Sequence, residues 1–263
     1  MNDVGHDTAQ PQSAEPKFCF DLTRGSDDFV PQGNRRLEER TLGLGTASAG
    51  LVTARLIRSR GSGENGSSTV RTDSHQVMDV LRGTVHIEDE SGTKQQLRGG
   101  SVAYFPPDFE YRQRDWSFDF EALLLGARAA GAPSDGARRA IYDHEHAGSY
   151  ATAGPGRDYL SLRPLKLADR TQRQFEVMLI KGLKSPSGGT GWHTNTNSEW
   201  VLVLSGAAEV ALSGHENFTI RAGDSMTFPP DSVHAVPGFS VDYALVAVNA
   251  PADFKTEPVQ PPH

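Results

Sequence analysis

Gly191-Trp-His-Thr-Asn-Thr-Asn-Ser-Glu-Trp-Val-Leu-Val-Leu-Ser-Gly206 is the stretch that decides the fold. In extended backbone successive side chains alternate between faces, so His193, Asn195 and Glu199 share one parity and point into one interior wherever extension persists. The apolar run from Trp200 to Leu204 reads as a buried strand, and Ser205-Gly206 ends it in a turn. Farther on, Gly223-Asp224 and Phe228-Pro229-Pro230-Asp231 precede a second well-placed histidine, His234. Imidazole and carboxylate groups on one interior face are what a transition metal takes as ligands. Trp192 and Trp200 fall on the opposite parity and read as packing residues.

Outward from this stretch the chain is β-like on both sides. Short runs at 49–57, 76–81, 84–88, 101–105 and 118–125 are punctuated by Gly, Pro and Asp, and similar runs resume at 175–180, 200–204, 207–212, 217–220, 225–228 and 241–248. Many short strands at close spacing predict an antiparallel sandwich or barrel. Two domains are expected, at 17–128 and 157–252. Between them, 129–156 shifts to Ala, Gly, Arg and Pro and reads as a linker with one short helix near 137–142. Residues 1–16 read as a mobile arm and the Pro-rich 253–263 as a tail trailing over the surface.

The two β-rich halves repeat one another at an offset of 123 residues. Gly83 maps to Gly206, Gly100 to Gly223, Phe105 to Phe228, Pro106 to Pro229, Pro107 to Pro230 and Asp108 to Asp231. These are turn residues and their neighbours, which fix strand lengths and hairpin positions. At the interior positions the halves differ. His193 maps to Val70, Asn195 to Thr72, Glu199 to Gln76 and His234 to Tyr111, so the first half lacks every candidate ligand, and Tyr111 fills the place of a histidine.

At these residues the chain resembles the cupins, and specifically the two-domain bicupins. The family's first motif runs Gly, a spacer, His-x-His, three or four residues, Glu, six residues, Gly; its second runs Gly, five residues, Pro-x-Gly, two residues, His. Here the second half reads His193-x-Asn195, three residues, Glu199, six residues, Gly206, then Gly223, five residues, Pro229-x-Asp231, two residues, His234. The resemblance implies an all-β chain of two tandem jelly-roll barrels with a metal inside the C-terminal one, held by His193, Glu199 and His234. The departure is Asn195, which stands where the family has a second histidine. An amide oxygen is a weak, neutral ligand, so Asn195 either coordinates loosely, orients substrate, or leaves a position open.

Two imidazoles and a carboxylate suffice to hold one divalent transition metal. With open positions this facial set is characteristic of non-haem Fe(II) enzymes that use oxygen, while Zn, Mn or Ni on the same ligands would support redox-neutral chemistry. The expected function is an Fe(II)-dependent dioxygenase of a small aromatic, diketone or hydroxy-acid substrate, with Asn195 in a catalytic role and O2 as co-substrate. The alternatives are a metal-dependent isomerase or decarboxylase, and a small-molecule-binding cupin without catalysis. Residues of the run 175–179 and of 243–245, namely Phe175, Val177, Leu179, Tyr243 and Leu245, are the expected pocket lining.

The other histidines read differently. His75 maps to Ser198, off the ligand register, and reads as a loop residue; His86 reads as structural; His215 follows Ser213-Gly214 and reads as solvated. His144-Glu145-His146 lies in the linker without a further ligand nearby.

Composition narrows the partners. At 263 residues with a net charge of −7 and no basic cluster, the chain is not built for nucleic acid or an anionic membrane, and a small molecule is the expected partner, with a homodimer as the expected assembly. The single cysteine, Cys19, has no internal disulfide partner, and the first residues lack the pattern of a signal peptide, which predicts a cytoplasmic protein. No apolar run approaches the roughly 18 to 20 residues that cross a bilayer. Gly61 to Gly66 and Gly188 to Gly191 carry neither a P-loop nor a dinucleotide fingerprint, and no Gly-x-Ser-x-Gly elbow is present, so no nucleotide cofactor or serine triad is expected.

Overall fold

The computed structural model describes residues 19–21 (backbone only), 28–32, 36–61, 67–128, 139–144, 149–153, 157–184 and 189–262. The arm expected at 1–16, most of the linker and the Glu145-His146 pair lie outside the described residues. The first half comprises β1 (Cys19–Asp21), β2 (Val30–Pro31), β3 (Leu37–Leu42), the one-turn helix α1 (Leu44–Ala47), β4 (Val52–Ser59), β5 (Ser67–Arg71), β6 (His75–Arg82), β7 (Thr84–Asp89), β8 (Lys94–Arg98), β9 (Val102–Phe105), β10 (Glu110–Arg114) and β11 (Glu121–Ala127). The second comprises β12 (Ile141–Asp143), β13 (Ala151–Thr152), β14 (Leu160–Pro164), β15 (Glu176–Gly182), β16 (His193–Asn195), β17 (Ser198–Ser205), β18 (Ala207–Leu212), β19 (Phe218–Arg221), β20 (Ser225–Phe228), β21 (His234–Phe239), β22 (Ala244–Ala250) and β23 (Thr256–Pro258). The described chain is thus nearly all-β, and its helix is far too short to cross a membrane.

The strands form four antiparallel sheets. One half sets a seven-stranded sheet, β12-β9-β6-β11-β4-β3-β2, against the four-stranded β5-β10-β7-β8; the other sets β1-β20-β17-β22-β15-β14-β13 against the five-stranded β19-β18-β21-β16-β23. The offset of 123 recurs in the ladders themselves: Gln76 pairs with Phe105 as Glu199 pairs with Phe228, and Val70 pairs with Tyr111 as His193 pairs with His234. The shared glycines explain why. Gly83 and Gly206 sit at φ 70° and 71°, and a Cβ there would come within 2.7 Å of the Phe120 nitrogen and 2.8 Å of the Tyr243 nitrogen respectively. Only glycine fits both the left-handed turn and the close approach.

Two leading strands are exchanged between the halves. β1, from the first half, pairs with β20 of the second, while β12, which opens the second half, pairs with β9 of the first. The helix expected near 137–142 is therefore not found in its described part, because residues 141–143 are taken into a sheet edge instead. The expected tail is corrected too: β23 pairs with β16, Asn195 opposite Thr256.

The seven-stranded sheets are covered on both faces. Toward each other they bury Leu56, Val77, Leu125, Phe175, Trp200 and Val246 in one core that joins the halves. Away from each other, each closes over its smaller sheet, with Met78, Val80, Phe105 and Trp116 inside the first half and Val203, Val210, Phe228 and Phe239 inside the second. Each such side chain contributes about 1.5–3 kcal/mol by leaving water. Double coverage makes central strands such as β22 almost continuously apolar, whereas β7, with one wet face, alternates.

Candidate functional site

β16 delivers His193 and Asn195, a turn at Thr196-Asn197 follows, β17 brings Glu199, and β21 opens at His234. His193 and His234 are cross-strand partners, with ring centres 4.3 Å apart. The turn before His234 is pinned by the Asp231 N–H, which donates to the Asn195 carbonyl at 2.8 Å. Asp231 sits at φ 61°, a left-handed conformation that aspartate tolerates better than most residues, which accounts for its use where the resembled motif has glycine.

Both imidazoles present the same edge to the interior. His193 Nδ1 donates to the Gly191 carbonyl at 2.9 Å and His234 Nδ1 to the Ser232 carbonyl at 2.8 Å. A carbonyl only accepts, so each Nδ1 carries the proton and each Nε2 keeps its lone pair. Burial lowers the pKa of both rings, His234 to about 4 with His193 adding to the effect, and both stay neutral. Glu199 faces them, its Oε2 3.8 Å from His234 Nε2. Burial pushes the Glu199 carboxyl up to about 7, against the opposing hydrogen bond from Asn195.

Asn195 links this carboxylate to the C-terminal strand. Its Nδ2 donates to Glu199 Oε2 at 2.6 Å, and its Oδ1 accepts the Thr256 hydroxyl at 2.8 Å. The amide oxygen is thereby turned toward β23. Two imidazole lone pairs and a buried carboxylate are a donor set that suits a divalent transition metal. Among the described residues no three His, Cys, Asp or Glu side chains already stand gathered as a metal cage; Glu199 is held by Asn195 instead.

His193, Asn195, Glu199 and His234 line a cavity of about 240 Å³ inside the second half, whose wall is otherwise mainly apolar. Tyr243 and Leu245 line it as expected, but Phe175, Val177 and Leu179 face the core between the halves, and Met178 and Ile180 take their place. Both faces of β15 are covered, so hydrophobicity does not reveal which parity looks inward. Sequence reasoning also missed Arg157, Asn249, Phe254 and Thr256, all in the wall. Asn249 carried a signal, as the lone amide in the apolar run of β22. It is the cross-strand partner of Glu199, is 1% exposed, and its Oδ1 has no hydrogen-bond partner among the described residues. Arg157 is the one cation among the described lining residues.

Residues 184–240 match the family model of the cupin domain, the segment that contains β16 to β21 and the side chains of His193, Asn195, Glu199 and His234. The fold is that of the cupins. Protein Ylba from E. coli, of the family-model DUF861, superposes with a TM-score of 0.66 at 15% identity, over 92% of this chain and 94% of its own. Oxalate decarboxylase from Bacillus subtilis, which has Mn(II) centres, superposes with a TM-score of 0.61 at 11% identity, over 88% of this chain and 78% of its own. At such identities the likeness is one of fold. Comparison with curated proteins gave no match.

Within this fold the first half repeats the scaffold with other side chains at the corresponding positions. Tyr111 stands where His234 does, and its hydroxyl donates to Gln76 Oε1 at 3.0 Å, the position of Glu199. Thr72, in the place of Asn195, gives its hydroxyl to the Pro106 carbonyl. His75 is not a loop residue: it is fully buried at the start of β6, with Nδ1 2.8 Å from the Tyr104 hydroxyl. His86 lies in β7, His215 is exposed, and His144 Nδ1 lies 3.0 Å from the Ser101 hydroxyl.

Proposed function

We propose that the chain is a bicupin whose C-terminal half holds one divalent transition metal on His193, Glu199 and His234 and uses it to transform a small organic substrate, while the N-terminal half is without metal. The carrying observation is that both histidines have Nδ1 tied to backbone carbonyls, leaving two neutral Nε2 lone pairs beside a buried carboxylate in an apolar cavity. A bound metal would supply Lewis acidity, or redox chemistry if it is Fe(II). Asn195 holds the carboxylate in one orientation, and Thr256 holds Asn195. Asn249 offers an unmet acceptor to a substrate donor, and Arg157 offers a cation to a substrate acid. The apolar wall excludes water and favours a substrate with a carbon body.

The Fe(II) dioxygenase reading follows from the two-His-one-carboxylate set. Metal analysis of the purified protein beside His234→Ala tests the site, with stoichiometric metal expected only in the former. Anaerobic loading with Fe(II), followed by oxygen uptake on phenolic, diketone and hydroxy-acid substrates, tests the reaction; no uptake with iron demonstrably bound would overturn it. A redox-neutral decarboxylase or isomerase is the second reading, favoured by the fold's likeness to a Mn(II)-containing decarboxylase. It expects turnover to survive removal of oxygen.

A further inference from the structure

The first half has a cavity of its own, of about 440 Å³. Adding 123 to six of its lining residues gives six that line the other cavity: Arg55 gives Met178, Val70 His193, Thr72 Asn195, Gln76 Glu199, Leu124 Ala247 and Gly126 Asn249. The two cavities occupy one place in two repeats. They do not reach the same side chains: Val201, Val210, Phe239 and His234 line the second cavity, whereas their counterparts Met78, Ile87, Trp116 and Tyr111 pack into the core of the first half and do not line its cavity. The open space of the first half is left among the more polar side chains of Thr41, Thr53, Arg55 and Gln76.

The wall's chemistry differs too. Gln76 Oε1 accepts the Tyr111 hydroxyl, which leaves the Nε2 donors of that amide without a partner among the described residues. Arg55 is held by Glu39 at 2.9 Å. Among the described residues Arg71 has one ionic partner, Asp108 at 3.9 Å, with both side chains largely exposed, a pairing worth little in water. Asp73 is the one acid among the described lining residues and accepts the Ser74 hydroxyl at 2.9 Å, the Thr53 hydroxyl donates to the Gly126 carbonyl at 3.3 Å, and these hydroxyl oxygens with that of Thr41 complete the wall. A guanidinium fork matches a carboxylate, and hydroxyls with an amide donor match hydroxyl groups. We propose that the first half is a second binding site, independent of metal, for a small hydroxylated carboxylate. It shares no residue with the metal set, so its failure and the failure of the metal reading are separate results.

Calorimetric titration of the metal-free full-length protein with malate tests it. Binding with a Kd of about 1 mM or tighter is expected. Arg71→Ala, which removes the free fork, and Gln76→Glu, which places a carboxylate where the second half has one, should each weaken binding by about tenfold or more. His234→Ala should leave it unchanged. Absence of binding to the folded wild type, or binding retained undiminished in both Arg71→Ala and Gln76→Glu, overturns the proposal.

Discussion

His234 lies flat on Phe228, ring centroids 3.9 Å apart and planes 16° from parallel, and 123 residues earlier Tyr111 lies on Phe105 at 4.0 Å and 11°. One aromatic shelf thus carries an imidazole in one half and a phenol in the other. The shelf sets the plane of the His234 ring, and the Ser232 carbonyl sets its rotation.

Phe228→Leu keeps the volume apolar but removes the shelf. Metal affinity is expected to fall by about tenfold, the lower end of what ligand-supporting contacts contribute, with a loss of roughly 1 kcal/mol in folding stability. Equilibrium dialysis with Mn(II) or Zn(II) and urea denaturation read the two effects, and unchanged affinity would show that the ring needs no support.

The pH dependence of the metal-free protein has two opposed parts. Below 6.5 the unfolded chain takes up a proton that buried His234 refuses until about 4, so this part of the stability is present above 6.5 and is lost as pH falls. Folded Glu199 keeps its proton up to about 7, whereas the unfolded carboxyl loses it near 4.5, so its part is present below 4.5 and is lost as pH rises toward 7. Each slope is at most about 1.4 kcal/mol per pH unit, and His193, also lowered by burial, adds to the histidine side. Between pH 4.5 and 6.5 the rise of stability with pH should be steeper in Glu199→Gln than in wild type and shallower in His234→Gln. Equal slopes in all three proteins would sink the assignment.

Thr256→Val removes the one hydroxyl among the described residues that donates to Asn195 Oδ1 and leaves a buried acceptor unmet, at a cost of about 1–3 kcal/mol. With the amide released, Glu199 loses its fixed orientation, and metal affinity should drop with stability. Thr256→Ser should restore both. Chemical denaturation and metal titration of the three proteins check this, and a failure of serine to rescue would assign the effect to packing instead.

In Asn249→Leu an amide whose oxygen is unpaired among the described residues gives way to an apolar side chain that branches at the same carbon, its extra bulk facing the cavity. Folding stability is expected to rise by about 1–3 kcal/mol, while kcat/KM on the substrate found in the oxygen-uptake or decarboxylation assay falls. A destabilised variant would mean that the amide has a structural partner, and unchanged turnover would remove Asn249 from the site.

What could be read from the chain was what depends on turns. Gly83, Gly206, Asp108 and Asp231 each hold a left-handed backbone, so they mark hairpin positions in the sequence itself, and the β-rich class follows from the runs between them. The pocket was harder. Parity failed on β15, where Val177 and Met178 are both apolar and only packing decides which looks inward. His75 was misplaced because its burial depends on Tyr104, 29 residues away. Thr256 was invisible because a three-residue strand in a Pro-rich segment gains its partner only when β16 is already in place. The crossing of β1 and β12 left no local trace, since edge pairing is decided by which edge is vacant.

That crossing gives the ligand-poor half a reason to persist. Its β9 edge is completed by β12, and its own leading strand β1 completes β20, the strand hydrogen-bonded directly to Glu199's strand β17. Substitutions at Val70, Gln76 and Tyr111 change only the interior of the first half, whereas excising the half would strip a strand and a whole apolar wall from its neighbour. Such a chain is ratcheted: the interior of either half can change side chain by side chain, but neither half can be given up alone.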